Sequence, residues 1–135
     1  MSSYQSPNIM AVPKRSHLSE SQAQCRVAEW LDARGMLWCH VPNGQLRSKR
    51  VAAQLKREGV KAGVPDILIF DRPPSKPEFV GVALELKRTI NGRTSEAQER
   101  WLKALDKRKW YACVAKGHLE AIDILIELGY GPDKI

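Results

Sequence analysis

No stretch of the 135-residue sequence stays apolar for the roughly 18 to 20 residues that a membrane span needs. The N-terminal MSSYQSPNIMAVPKR also lacks the basic start and apolar run of a signal peptide. A cytoplasmic protein with no membrane partner is the expectation. Cysteine is scarce: Cys25, Cys39 and Cys113 are odd in number and show no CxxC spacing, against a disulfide framework and a thiolate zinc site. They read as reduced core thiols. His17, His40 and His118 have no ligand spacing either and read as structural or exposed. Repeats and low-complexity tracts are absent, and the length leaves room for one compact domain. With 43% hydrophobic and 27% charged residues, wholesale disorder is excluded.

Acidic residues are the remaining deficit. Fifteen Asp and Glu stand against 22 Lys and Arg, a net charge of +7. Much of the excess lies between Asn43 and Val64, where Arg47, Lys49, Arg50, Lys56, Arg57 and Lys61 meet only Glu58 and leave +5. Such a patch suits a polyanion such as nucleic acid, or is a solvated helix face.

Residues 1–17 hold Pro7 and Pro13 among Ser, Asn and Gln without apolar periodicity and read as a flexible leader, so the domain is expected over 18–135. Ser19 with Gln22 resembles a capping box, and Ala23, Val27, Trp30 and Leu31 recur at helical spacing until Gly35. MLWCHV is a short strand candidate before the Pro42-Asn43-Gly44 turn signal, and SKRVAAQLKREG is a basic helix with Val51, Ala52 and Leu55 as its apolar stripe. KAGVPDILIF and FVGVALELK look like a hairpin joined by the polar DRPPSKPE. A helix through EAQERWLKALDKRK, a strand WYACVAK and a helix from about Leu119 to Gly129 follow. The order α, β, α, β, β, α, β, α predicts an α/β domain, a mixed sheet flanked by helices.

The chemistry concentrates in the hairpin. If Phe70 pairs with Gly81, antiparallel pairing keeps the index sum at 151 and sets Asp66 opposite Glu85. Cross-strand Cβ atoms lie roughly 4.5 to 5.5 Å apart. Strand alternation then puts Glu85, Lys87 and Asp66 on one face. Two acids that close repel unless a cation intervenes, and hard oxygen ligands suit Mg²⁺ or Mn²⁺. With Lys87 to orient or deprotonate a water, the set predicts metal-assisted phosphodiester hydrolysis. The other reading leaves Asp66 in a turn, with Glu85 and Lys87 an exposed pair worth little.

KAGVPDILIF, VALELK, SEAQERWLKAL and YACVAKGHLEAIDIL closely resemble the virus-type replication-repair nuclease (VRR-NUC) domains of the PD-(D/E)xK superfamily, from about Leu18 to Tyr130. The resemblance implies a restriction-endonuclease-like core and a structure-selective endodeoxyribonuclease acting on branched DNA such as Holliday junctions. It also implies a homodimer of the kind found in phages and bacteria, with a role in DNA repair. By motif position Asp66 and Glu85 would be metal ligands, Leu86 would add its backbone carbonyl, and Lys87 would be the catalytic lysine. Glu29 matches the family's helical acid, or else is solvated or pairs with Arg26. Gln98 matches the glutamine expected near the scissile phosphate, or is an ordinary helix residue. Asn43 matches a recurrent family position at the cleft, or is a routine turn residue. Arg88 replaces the glutamine many members carry there. Lys49, Arg50, Lys56, Arg57 and Lys61 are the expected phosphate contacts. A catalytically idle DNA-binding accessory protein on the same fold is the alternative.

Overall fold

The computed structural model describes residues 18–42 and 48–131. The expected leader, Asn43, Arg47 and His17 lie outside the described residues.

Eight elements follow in the expected order. They are α1 (Glu20–Ala33), β1 (Trp38–His40), α2 (Lys49–Glu58), β2 (Ile67–Ile69), β3 (Gly81–Lys87), α3 (Glu96–Asp106), β4 (Trp110–Lys116) and α4 (His118–Glu127). The first helix starts where its capping box says: the Ser19 hydroxyl accepts from the Gln22 N–H, and the Gln22 side chain accepts from the Ser19 N–H. Ser48 caps α2 by its hydroxyl alone, accepting from the Val51 N–H, and Gly59 closes that helix in the left-handed conformation at φ 107°.

The strands form one mixed sheet in the order β1-β2-β3-β4, antiparallel between the first three and parallel between β3 and β4, with α3 as the crossover. The β2–β3 register pairs Ile67 with Leu84 and Ile69 with Val82, the constant sum expected of the hairpin. Flanked on both edges, β3 is buried through Leu86, which explains its nearly continuous apolar sequence.

The core lies on one face. Ile67, Ile69, Val82, Leu84 and Leu86 join Ala23, Val27 and Leu31 of α1 and Ala121 and Leu125 of α4. Period-two alternation then sends Ala83, Glu85 and Lys87 to the opposite face. No helix among the described residues is long and apolar enough to cross a membrane.

One expectation needs correction. Cys25 and Cys39 are exposed and only Cys113 is partly covered, so two of the thiols are at the surface. The apolar stripe of α2 is as thin as its sequence: that helix buries no residue, and Val51 is 48% exposed. Its other faces carry so much charge that packing it into the core would desolvate several cations.

Candidate active site

Asp66 immediately precedes β2, and extending the register places it across from Glu85. A carboxylate oxygen of Asp66 accepts from the Leu86 N–H at 2.8 Å, which ties the head of β2 to the end of β3. The Asp66 backbone carbonyl is held too, accepting from the Val41 N–H at 2.8 Å and from His40 Nδ1 at 2.9 Å. His40 is thus a positioning residue that the sequence pattern did not single out.

The loop before Asp66 depends on Gly63, at φ +90°. A Cβ there would come within 2.6 Å of the Ala97 backbone, so only glycine lets this turn rest against the start of α3. Pro65 is buried behind it.

Glu85 is 2% exposed, unusual for a carboxylate. Its Oε2 accepts from Gln98 Nε2 at 2.8 Å and lies 3.2 Å from Lys87 Nζ. Its Oε1 is buried and has no hydrogen-bond partner. Burial, followed by the nearby Asp66 charge, raises the Glu85 carboxyl from 4.5 to about 7; Lys87 opposes the shift, and a hydrogen bond that the protonated carboxyl shares with Asp66 adds to it.

Gln98 does two jobs. Its side-chain oxygen accepts from the Ser95 N–H at 2.8 Å in a second capping box, and its amide donates to Glu85. The first turn of α3 is thereby locked to the acid at the end of β3.

These groups line a cleft of about 670 Å³ between the sheet, the start of α3 and α2. Of the basic candidates, Lys56 and Lys61 border it, whereas Lys49, Arg50 and Arg57 do not. Arg57 donates to Gln54 along its own helix. Arg88 borders a separate hollow with Ser19 and Gln22.

Glu29 is not brought to the cleft. Its side chain is 70% exposed and lies 3.9 Å from Arg26 on the outside of α1. The acid that α1 presents to the cleft is Glu20. Helix geometry explains why. At about 100° per residue, Glu20 falls on the line of the buried Ala23, Val27 and Leu31, whereas Glu29 points about 180° away.

Among the described residues no cluster of three or more His, Cys, Asp or Glu side chains is closed tightly enough to hold a metal ion. The donor set nevertheless fits a hard divalent cation. Glu85 Oε1 is an orphaned buried oxygen, and two carboxylates share the site. Leu86 can add a carbonyl: backbone groups alternate along a strand, and Lys87 gives its carbonyl to Gly117 N–H. The Leu86 carbonyl therefore faces the other way, with its N–H, toward Asp66.

A family model described as the VRR-NUC domain matches residues 18–119. Two solved structures are similar. One, named a VRR_NUC domain protein, shares 28% identity at a TM-score of 0.68, covering 83% of this chain and 88% of its own. The other, named VRR_NUC domain, shares 22% identity at a TM-score of 0.54, covering 80% and 94% respectively, and supports the fold alone. No curated protein sequence matches the chain.

Proposed function

Since the chain belongs to the VRR-NUC domain family, a nuclease family whose members generally use divalent metals, we propose that it is a Mg²⁺- or Mn²⁺-dependent endodeoxyribonuclease acting on branched DNA. The observation that carries this reading is the Glu85 carboxyl, buried beside Asp66, whose Oε1 has no hydrogen-bond partner while its Oε2 lies 3.2 Å from Lys87 Nζ. A core carboxylate kept only for stability would have its oxygens satisfied.

Asp66, Glu85 and the Leu86 carbonyl would hold the cation, with Glu20 rather than Glu29 as the further acid. When bound, it supplies Lewis-acid polarisation of the phosphodiester. The remaining work belongs to the chain. Lys87, fixed by Glu85 and only 12% exposed, orients or deprotonates the attacking water and steadies negative charge at the phosphate. Gln98 keeps Glu85 turned into the cleft. Lys56 and Lys61 hold flanking phosphates, contacts that carry no base identity, so selection follows DNA shape. Two copies in a homodimer would offer paired cleavage sites to a junction.

The test is cleavage of junction, flap, duplex and single-stranded DNA with Mg²⁺, Mn²⁺ or chelator, by the unaltered protein and by Glu85→Gln and Lys87→Ala. Metal-dependent cutting, strongest on branched DNA and lost in both variants, is expected. Folded variants that cut at the unaltered rate would refute the assignment, and binding without cutting would identify an idle accessory protein.

A further inference from the structure

Lys87 borders two hollows. One is the cleft just described. The other, of about 450 Å³, lies on its far side over the edge strand β4, between the end of β4 and the loop that leads into α3. Lys87 and Lys116 are register partners on parallel strands, so their side chains leave the same face of the sheet on strands roughly 4.8 Å apart. Arg93 reaches the same hollow from the loop. Gly92 makes that approach possible, since a Cβ there would strike the Arg88 carbonyl and come within 2.9 Å of Lys87 Cβ.

Three cations have thus been set around one concavity. The two ion pairs among the described residues are Arg26 with Glu29 and Lys87 with Glu85, so among those residues no carboxylate lies in ion-pair contact with Arg93 or Lys116. Glu99 also borders the hollow, and its Oε2 accepts from the Thr94 hydroxyl at 2.8 Å. Glu120 accepts from the Lys116 backbone N–H. Lys87, Arg93 and Lys116 still outnumber the single lining acid, Glu99.

We propose that Arg93 and Lys116 form a second phosphate-holding site, across Lys87 from the cleft, that grips a nucleic-acid strand on the side away from α2. The site is continuous with the cleft through Lys87, so its ligand is the phosphate that neighbours the one at Asp66 and Glu85. That phosphate is either an internal diester or a strand-terminal monoester. The proposal rests on the nuclease reading for its placement along the strand. With α2 on one flank and this hollow on the other, the strand is held on both sides of the reacting phosphate.

The test measures DNA affinity in chelator as a function of salt, for the unaltered protein, Arg93→Ala/Lys116→Ala and the charge-preserving Arg93→Lys/Lys116→Arg. Losing one neutralised phosphate lowers the log–log salt slope by about 0.7 to 0.9 and weakens binding roughly fivefold at 0.1 M salt. The charge-preserving pair should retain the original slope. An unchanged slope in the alanine pair, or an equal loss in both pairs, overturns the proposal. Three substrates identify the source: a closed dumbbell, a 5′-hydroxyl duplex and a 5′-phosphorylated duplex. A loss seen on the dumbbell marks an internal diester, a loss confined to the 5′-phosphorylated duplex marks a terminal monoester, and a loss on none overturns the site. Cleavage with Mg²⁺ is scored separately. A protein that cuts but shows no slope change loses this hollow alone, and one with the slope change that never cuts keeps the hollow and loses the nuclease reading.

Discussion

Alternate residues of β3 belong to two different environments. Val82, Leu84 and Leu86 enter the apolar core beneath α1 and α4, whereas Ala83 is followed on the other face by Glu85 and Lys87, which open into the cleft. The first set can be described by volume and burial, and the second by charge, hydrogen bonds and one orphaned oxygen. A pleated strand between two neighbours makes this division possible, because its backbone is satisfied on both edges and its side chains can specialise by face. Rigidity is made on one side and spent on the other.

The largest separation of the two faces should come from Asp66→Asn. It removes a charge the cleft needs while keeping the volume and the acceptor for Leu86 N–H, so cleavage should fall by roughly 10²- to 10³-fold or more with little change in melting temperature. An equal loss of stability would show that Asp66 belongs with the core. Leu84→Ala is the mirror image, with a cost of about 2 to 5 kcal/mol by urea unfolding and site chemistry intact in the molecules that remain folded.

The elements and the fold class were legible in the sequence because each had a local cause. The Ser19 and Gln22 pair, the Gly35 stop and the apolar period of α1 lie within single turns of chain. The convergence of Asp66, Glu85 and Lys87 was legible too, since a hairpin fixes register once one pair is known and alternation does the rest. Less legible were the features set by tertiary placement. Glu20 and Glu29 are both acids on α1, and only the direction of the Ala23, Val27 and Leu31 stripe separates them. The exposure of α2 and of Cys25 and Cys39 depends on what lies opposite, which periodicity does not specify. His40 gave no pattern at all, because its contact is to a backbone carbonyl 26 residues away.

A third prediction sharpens the contrast through pH. Glu85 titrates near 7 when folded, against 4.5 when free, so the folded state holds its proton more tightly. That contribution to stability is complete below about pH 4.5 and is lost as pH rises through about 7. In chelator, the unaltered protein should lose on the order of 3 kcal/mol at most across this window relative to Glu85→Gln, read by urea unfolding at pH 5 and pH 8. Parallel pH profiles for the two proteins would place Glu85 in solvent. The smallest effect belongs to α2 and the turn that follows it. Lys56→Ala and Lys61→Ala should each lower the salt slope of DNA binding by about 0.7 to 0.9 without altering stability, whereas Arg50→Ala should leave the slope nearly unchanged.

The central claim is that the polar face of β3 is a cation site, and calorimetric titration of Mn²⁺ at pH 6.5 into the unaltered protein and Glu85→Gln tests it most directly. Paired buffers of different ionisation enthalpy would reveal proton release. The unaltered protein should bind Mn²⁺ and release a substantial fraction of a proton as Glu85 gives up its own, and Glu85→Gln should bind far more weakly and release none. Equal affinity and equal proton release in the two proteins would contradict the account.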